Sequence, residues 1–168
     1  MVLLGSQATT DHEDRQDMSI ELYWEDFTVG RRFELGSHEV TREEVIEFAQ
    51  RYDPQPFHID EEAAGRSVFG GLIASGWHTA SMVMRMMCDG YLLRSASLGS
   101  PGVDNLRWVK PVRPGDVLRA HMTVLESRPS MSKPDRGIVK SKWEVFNQND
   151  ELVMSMEGYG MFLRRPAE

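Results

Sequence analysis

Asp53 and His58 stand five positions apart in the stretch Arg51-Tyr52-Asp53-Pro54-Gln55-Pro56-Phe57-His58-Ile59-Asp60, with a proline on either side of Gln55. An ionised aspartate only accepts hydrogen bonds, whereas a neutral imidazole both donates and accepts. Pro54 and Pro56 each fix one φ angle, so a loop that aims both side chains at one point loses less entropy on ordering. A water held between them could lose a proton to one partner while a substrate exchanges a proton with the other. That is general acid–base chemistry. The segment Phe69-Gly70-Gly71-Leu72-Ile73-Ala74-Ser75-Gly76-Trp77-His78 follows and reads as the entry to a helix. Its first amides, at Gly76, would offer free N–H groups and the positive end of the helix dipole to an oxygen that gains charge.

Elements must position these groups. Arg32-Phe33-Glu34-Leu35 alternates and predicts a strand ending near Val40. Thr41-Arg42-Glu43-Glu44 is a capping box, with Val40 and Val45 as its hydrophobic staple. Val45, Phe48, Ala49 and Tyr52 form the stripe of an amphipathic helix, which Pro54 stops by forcing Asp53 out of the helical region. Asp60 is the expected cap of a second short helix. Ser75 is the expected N-cap of a third, running from Gly76 to Cys88. Ala80, Met82, Val83, Met84, Met86 and Met87 cover all its sides, so it should be buried all round. After Gly90 the pattern turns to strands: Asn105 to Val109, Val117 to Leu125, Ile138 to Phe146 and Leu152 to Leu163. Asn147-Gln148-Asn149-Asp150 reads as a hairpin turn. Gly158 and Gly160 should allow a bulge or a close approach. Ser127 to Gly137 is the least structured interior stretch. Helices first and antiparallel strands after make an α+β layout, a curved sheet wrapped on one buried helix.

The chain has 168 residues and a formal net charge of −7. That length suits one domain, expected over residues 21–168 behind a polar, disordered tail at 1–20. The acidic balance argues against a nucleic-acid partner. Cys88 is the single cysteine, so no intrachain disulfide can form and a reducing cytoplasm is the expected compartment. No apolar run reaches membrane-span length, and no secretory signal is legible at the N-terminus. The five histidines are scattered without metal-ligand spacing, so no metal is expected. No glycine-rich phosphate loop follows a strand.

Asp53-Pro-Gln-Pro-Phe-His58-Ile-Asp60 followed by Gly71-Leu-Ile-Ala-Ser-Gly76-Trp resembles the signature of the MaoC-like dehydratases, or R-specific enoyl-CoA hydratases. The likeness runs from about Trp24 to the C-terminus and includes Pro111-Val-Arg-Pro-Gly-Asp116. It implies a hot-dog fold and a homodimer or higher homo-oligomer. It also implies an acyl-CoA substrate, with coenzyme A arriving as part of that substrate and no separate cofactor. The resemblance puts the catalytic aspartate on Asp53, the histidine on His58 and the oxyanion donor on the Gly76 amide. Asp53 would activate a water and His58 exchange the α-proton. Gln55 stands where the family often has asparagine, Ser75 where histidine commonly precedes the helix glycine, and Met84 where some members have serine. Gln55, Ser75 and Trp77 are expected against the substrate. Arg107, Lys110 and Arg113 form a small basic cluster, a solvated surface or a contact for the phosphates of coenzyme A. Two other functions fit the same outline: a hot-dog thioesterase and a non-catalytic acyl-CoA-binding module.

Overall fold

The structure, a computed structural model, describes residues 19–167. The expected tail therefore lies outside the described residues, apart from its last two positions. Order is anchored where aromatics return: the Glu21 and Leu22 amides both donate to the Arg94 carbonyl, and a 3₁₀ turn follows over Trp24–Asp26.

Strand β1 (Arg32–Glu39) leads into helix α1 (Arg42–Tyr52). The capping box forms as its sequence predicts: Thr41 Oγ1 accepts from the Glu44 amide, and Glu44 Oε1 accepts from the Thr41 amide. Val45 and Ala49 are fully buried. Tyr52, expected on that buried stripe, is instead 63% exposed, because it is the last residue of the helix, whose final turn overhangs the core. The proline-rich stretch is not a plain loop. It folds into a one-turn helix, α2 (Pro56–Ile59), with Pro56 at the first position, where its missing N–H costs nothing. Asp60 caps α3 (Glu61–Arg66), accepting from the Ala63 amide.

Helix α4 (Gly76–Gly90) follows, capped by Ser75. Then come β2 (Val103–Trp108), β3 (Val117–Pro129), β4 (Arg136–Phe146) and β5 (Leu152–Leu163). All neighbours are antiparallel, in the order β1-β3-β4-β5-β2. The strand after α4 thus crosses to the far edge of the sheet. A curved five-stranded antiparallel sheet around one long helix is the hot-dog arrangement. Its core joins Val83, Met86 and Met87 of α4 to Leu118, Met122, Val124, Val139, Val145 and Met154 of the sheet.

Three further expectations are refined. The stretch 127–137 lacks regular structure only over 130–135: β3 runs to Pro129 and β4 begins at Arg136, with Arg128 and Pro129 pairing with Ile138 and Gly137. The Trp24 ring lies so close to Gly137 that a Cβ there would sit 2.1 Å from it. Only glycine admits this contact. Helix α4 is not buried on all sides within one chain, because Trp77 and Met84 are 59% and 45% exposed, with Ser81 and Arg85 on the same stripe. Gly158 serves close approach, its Cα side facing the Gly102 carbonyl. A bulge falls instead in its partner strand β2, between Asp104 and Arg107, where Asn105 takes a φ of 51°.

His78, one turn into α4, is buried and stacks on Phe48 of α1 at 4.8 Å between ring centres. Its Nδ1 has no hydrogen-bond partner among the described residues. Burial holds its pKa below the ordinary 6.5, with Glu44 opposing and His38 adding to the effect. A histidine kept neutral in the fold contributes stability that is complete above its unfolded pKa and is lost as pH falls below it. The expected outcome is a lower denaturant midpoint at about pH 5 than at about pH 7.5, with this difference reduced in His78→Phe. Equilibrium urea unfolding of both proteins at the two pH values checks it.

Candidate active site

The backbone places the Asp53 and His58 side chains on either side of one turn. Asp53 ends α1, its amide donating to the Ala49 carbonyl. Its own carbonyl accepts from the Gln55 amide at 2.8 Å, and the chain re-enters helix at Pro56. His58 sits inside that turn and is buried. Its Nδ1 lies 2.8 Å from the Ile73 carbonyl oxygen. A carbonyl can only accept, so Nδ1 carries the proton and Nε2 presents a lone pair.

That lone pair faces the carboxylate. His58 Nε2 lies 3.4 Å from Asp53 Oδ2, longer than a well-made N–H···O bond and close enough for one water to touch both. Ser75 Oγ donates to Asp53 Oδ2 at 2.7 Å, and Gln55 Nε2 donates to Oδ1 at 2.8 Å. The Ser75 hydroxyl first, then Gln55 and His58, hold the Asp53 pKa below the usual carboxylate value, against the opposing effect of burial. Asp53 is therefore ionised at neutral pH.

Both groups line a cavity of about 470 Å³ whose wall includes Gly76, Trp77 and Thr79 of α4. The Trp77 amide donates to Ser75 Oγ and the Thr79 amide to the Ser75 carbonyl. No described residue takes up the Gly76 amide. Glycine is required there: a Cβ would stand 2.4 Å from two ring atoms of Trp108, which lies across the helix entry. Trp77 meets Trp108 edge to face at 5.3 Å. Most of the remaining wall is apolar, including Phe57, Phe69, Ile73, Val112 and Val153, with Lys110 as its one charged residue.

Asp53, Gln55, His58, Ser75, Gly76, Trp77 and Lys110 thus share one cavity lining. The three basic residues have separate partners. Lys110 pairs with Glu151, while Arg113 donates to the Phe69 carbonyl and Arg107 to the Leu106 carbonyl, and of the three only Lys110 is in the cavity lining. Ser75 spends its one hydroxyl proton on Asp53, and Gln55 gives the same carboxylate one of its two amide N–H donors. Two contributors escaped the sequence reading. The Ile73 carbonyl that orients His58 is backbone and leaves no residue-type signal. Trp108 was read only as part of a strand, and nothing local ties it to Gly76.

The profile of the MaoC like domain matches residues 26–143. The chain belongs to the MaoC-like hydratase/dehydratase family. The MaoC-like dehydratase from Rhodospirillum rubrum is similar in sequence and shape, with 44% identity and a TM-score of 0.81 over 88% of this chain and 100% of that one. A 3-hydroxybutyryl-CoA dehydratase from Methylorubrum extorquens is 32% identical over 64% of this chain and 67% of its own length. The (R)-hydratase from A. caviae involved in PHA biosynthesis is 25% identical with a TM-score of 0.61, covering 83% of this chain and 97% of that one.

Gly76→Ala should destabilise this MaoC-like fold by about 1–3 kcal/mol through overpacking against the indole. The cost should shrink when Trp108→Ala is added. A double-mutant cycle by chemical denaturation reads the coupling.

Proposed function

We propose that this chain adds water syn across the double bond of a 2-enoyl-CoA, or removes it from the (R)-3-hydroxyacyl thioester. One observation carries the reading: an ionised carboxylate and an imidazole lone pair, 3.4 Å apart, open into the cavity that Gly76, the first residue of α4, also lines. Both are acceptors, so a water between them donates one hydrogen to Asp53 Oδ2 and the other to His58 Nε2. Its lone pairs then point outward to the substrate. As oxygen bonds to Cβ, the double-bond electrons move toward the thioester carbonyl. The charge gathering on that oxygen is met by the Gly76 amide at the positive end of α4. Ser75 and Gln55 stabilise Asp53 as the anion, so the released proton resides on His58 Nε2, which hands it to Cα. Both atoms come from one water on one face, which makes the addition syn.

Coenzyme A enters as part of the substrate, and the chemistry calls on no separate cofactor. Lys110, the basic residue of the three in the cavity lining, is suited to meet a phosphate there. Among the described residues no helix is long and apolar enough to cross a membrane, and the lone Cys88 suits a reducing cytoplasm.

Two exposed features support a second copy of this chain as partner. The open stripe of α4 carries Trp77 and Met84, and the neighbouring edge strand carries Val103, Trp108 and, just beyond it, Val109, all at least 45% exposed. Apolar side chains gathered on one face in this way are what a homodimer buries. Sedimentation velocity should find a dimer, and Met84→Lys with Val103→Lys should shift it toward monomer.

Asp53→Asn and His58→Gln should each lower turnover of crotonyl-CoA by ~10²–10⁴, followed as loss of the enoyl absorbance. Free-thiol release from a saturated acyl-CoA, measured on the same preparation, would favour a thioesterase instead. Silence in both assays would favour a binding module.

A further inference from the structure

Ser75 is wholly buried and sits where two parts of the site meet. A serine hydroxyl has one proton to give and two lone pairs. Here the proton goes to Asp53 Oδ2 at 2.7 Å, and a lone pair takes the Trp77 amide at 3.3 Å. The same residue's carbonyl accepts from the Thr79 amide at 3.0 Å and from Thr79 Oγ1 at 3.4 Å. One side chain therefore closes the N-terminus of α4 and grips the carboxylate that ends α1, 22 residues earlier. The oxygen it grips is the one facing His58.

Its bonding is spent on these partners, so Ser75 serves neither as nucleophile nor as substrate donor. We infer that Ser75 is a positioning residue: its hydroxyl fixes the rotation of the Asp53 carboxylate and keeps it anionic, locking the water-binding pair to the helix end that receives the thioester oxygen. This rests on the hydratase reading for its consequence in turnover, but not for its effect on Asp53. Gln55 alone cannot substitute, because it holds the other oxygen and leaves Oδ2 free to turn away from His58. Within the cavity lining, the titratable groups facing Asp53 are His58 from α2 and, across the cavity, Lys110, itself paired with Glu151. On its own helix, Arg51 is drawn over the Tyr52 ring. Direct hydrogen bonding from Ser75 is the largest influence on Asp53, ahead of the opposing effect of burial and of Gln55 and His58.

Capping and donation can be separated by substitution. Glycine is nearly as good an N-cap as serine, at a cost of a few tenths of a kcal/mol, yet it has no hydroxyl. Threonine keeps the hydroxyl. The test uses the full chain as Ser75→Gly, Ser75→Ala and Ser75→Thr, each checked for a native circular dichroism spectrum. The Asp53 side-chain carboxyl is titrated by ¹³C NMR, which needs no substrate. Turnover of crotonyl-CoA is measured in parallel. The expected result is an upward move of the Asp53 titration in Ser75→Gly and Ser75→Ala, with wild-type behaviour restored in Ser75→Thr. In the same variants kcat should fall about tenfold to a hundredfold, the loss associated with misplaced reacting groups, while KM changes little. An Asp53 titration unmoved in folded Ser75→Gly overturns the inference, as does a wild-type kcat in that variant. If the wild-type protein hydrates no enoyl thioester, the functional reading fails, while the carboxyl titration still decides the role of Ser75.

Discussion

The burial of α4 under the five-stranded sheet is the constraint from which the other contacts follow. Its inward face is apolar, with Val83 fully buried and Met82, Met86 and Met87 nearly so. Removing those side chains from water contributes on the order of 1.5–3 kcal/mol apiece, and four flexible or small side chains can fit the uneven inner surface of a twisted sheet. A helix so enclosed has fixed ends. The N-terminal end is the one that matters, because there Gly76, whose amide no described residue takes up, lines the cavity.

Around that end the chain brings four separated segments together. The last turn of α1 supplies Asp53, the single turn of α2 supplies His58, the Ile73 carbonyl sets the imidazole, and β2 lays Trp108 across Gly76. None of these contacts is strong alone. What gives the pair its definition is that the atoms holding it are matched: the His58 Nδ1 proton meets a carbonyl, and each Asp53 carboxylate oxygen meets a different donor. Buried polar networks rigidify when satisfied in this way.

Local chemistry was legible in the sequence and distant packing was not. The capping box at Thr41 and Glu44, the serine cap at Ser75 and the turn at Asn147, whose Oδ1 accepts from the Asn149 and Glu151 amides, each lie within a few residues. So did the Asp53–His58 spacing and the strands from Val117 onward. The crossing of β2 to the outer edge was not legible, because the exposed faces of an edge strand and of its neighbour read alike in sequence. Tyr52 was misplaced for a related reason: periodicity locates a stripe but not the point where the core ends beneath it. Helix α4 was read as enclosed because its composition describes the surface it buries in total. A single chain covers only part of that surface.

The α1–α2 layer has a consequence of its own. Helix α1 fully buries only Val45 and Ala49, and α3 only Ala64, whereas β3, β4 and β5 hold most of the core. Segments with little buried apolar area open at lower free energy than the body they rest on. The aspartate hangs from the final turn of this outer layer, next to an overhanging tyrosine. Warming will therefore fray the carboxylate's support while the sheet is still intact, so the temperature at which work ceases and the temperature at which the protein melts are two separate properties of this molecule.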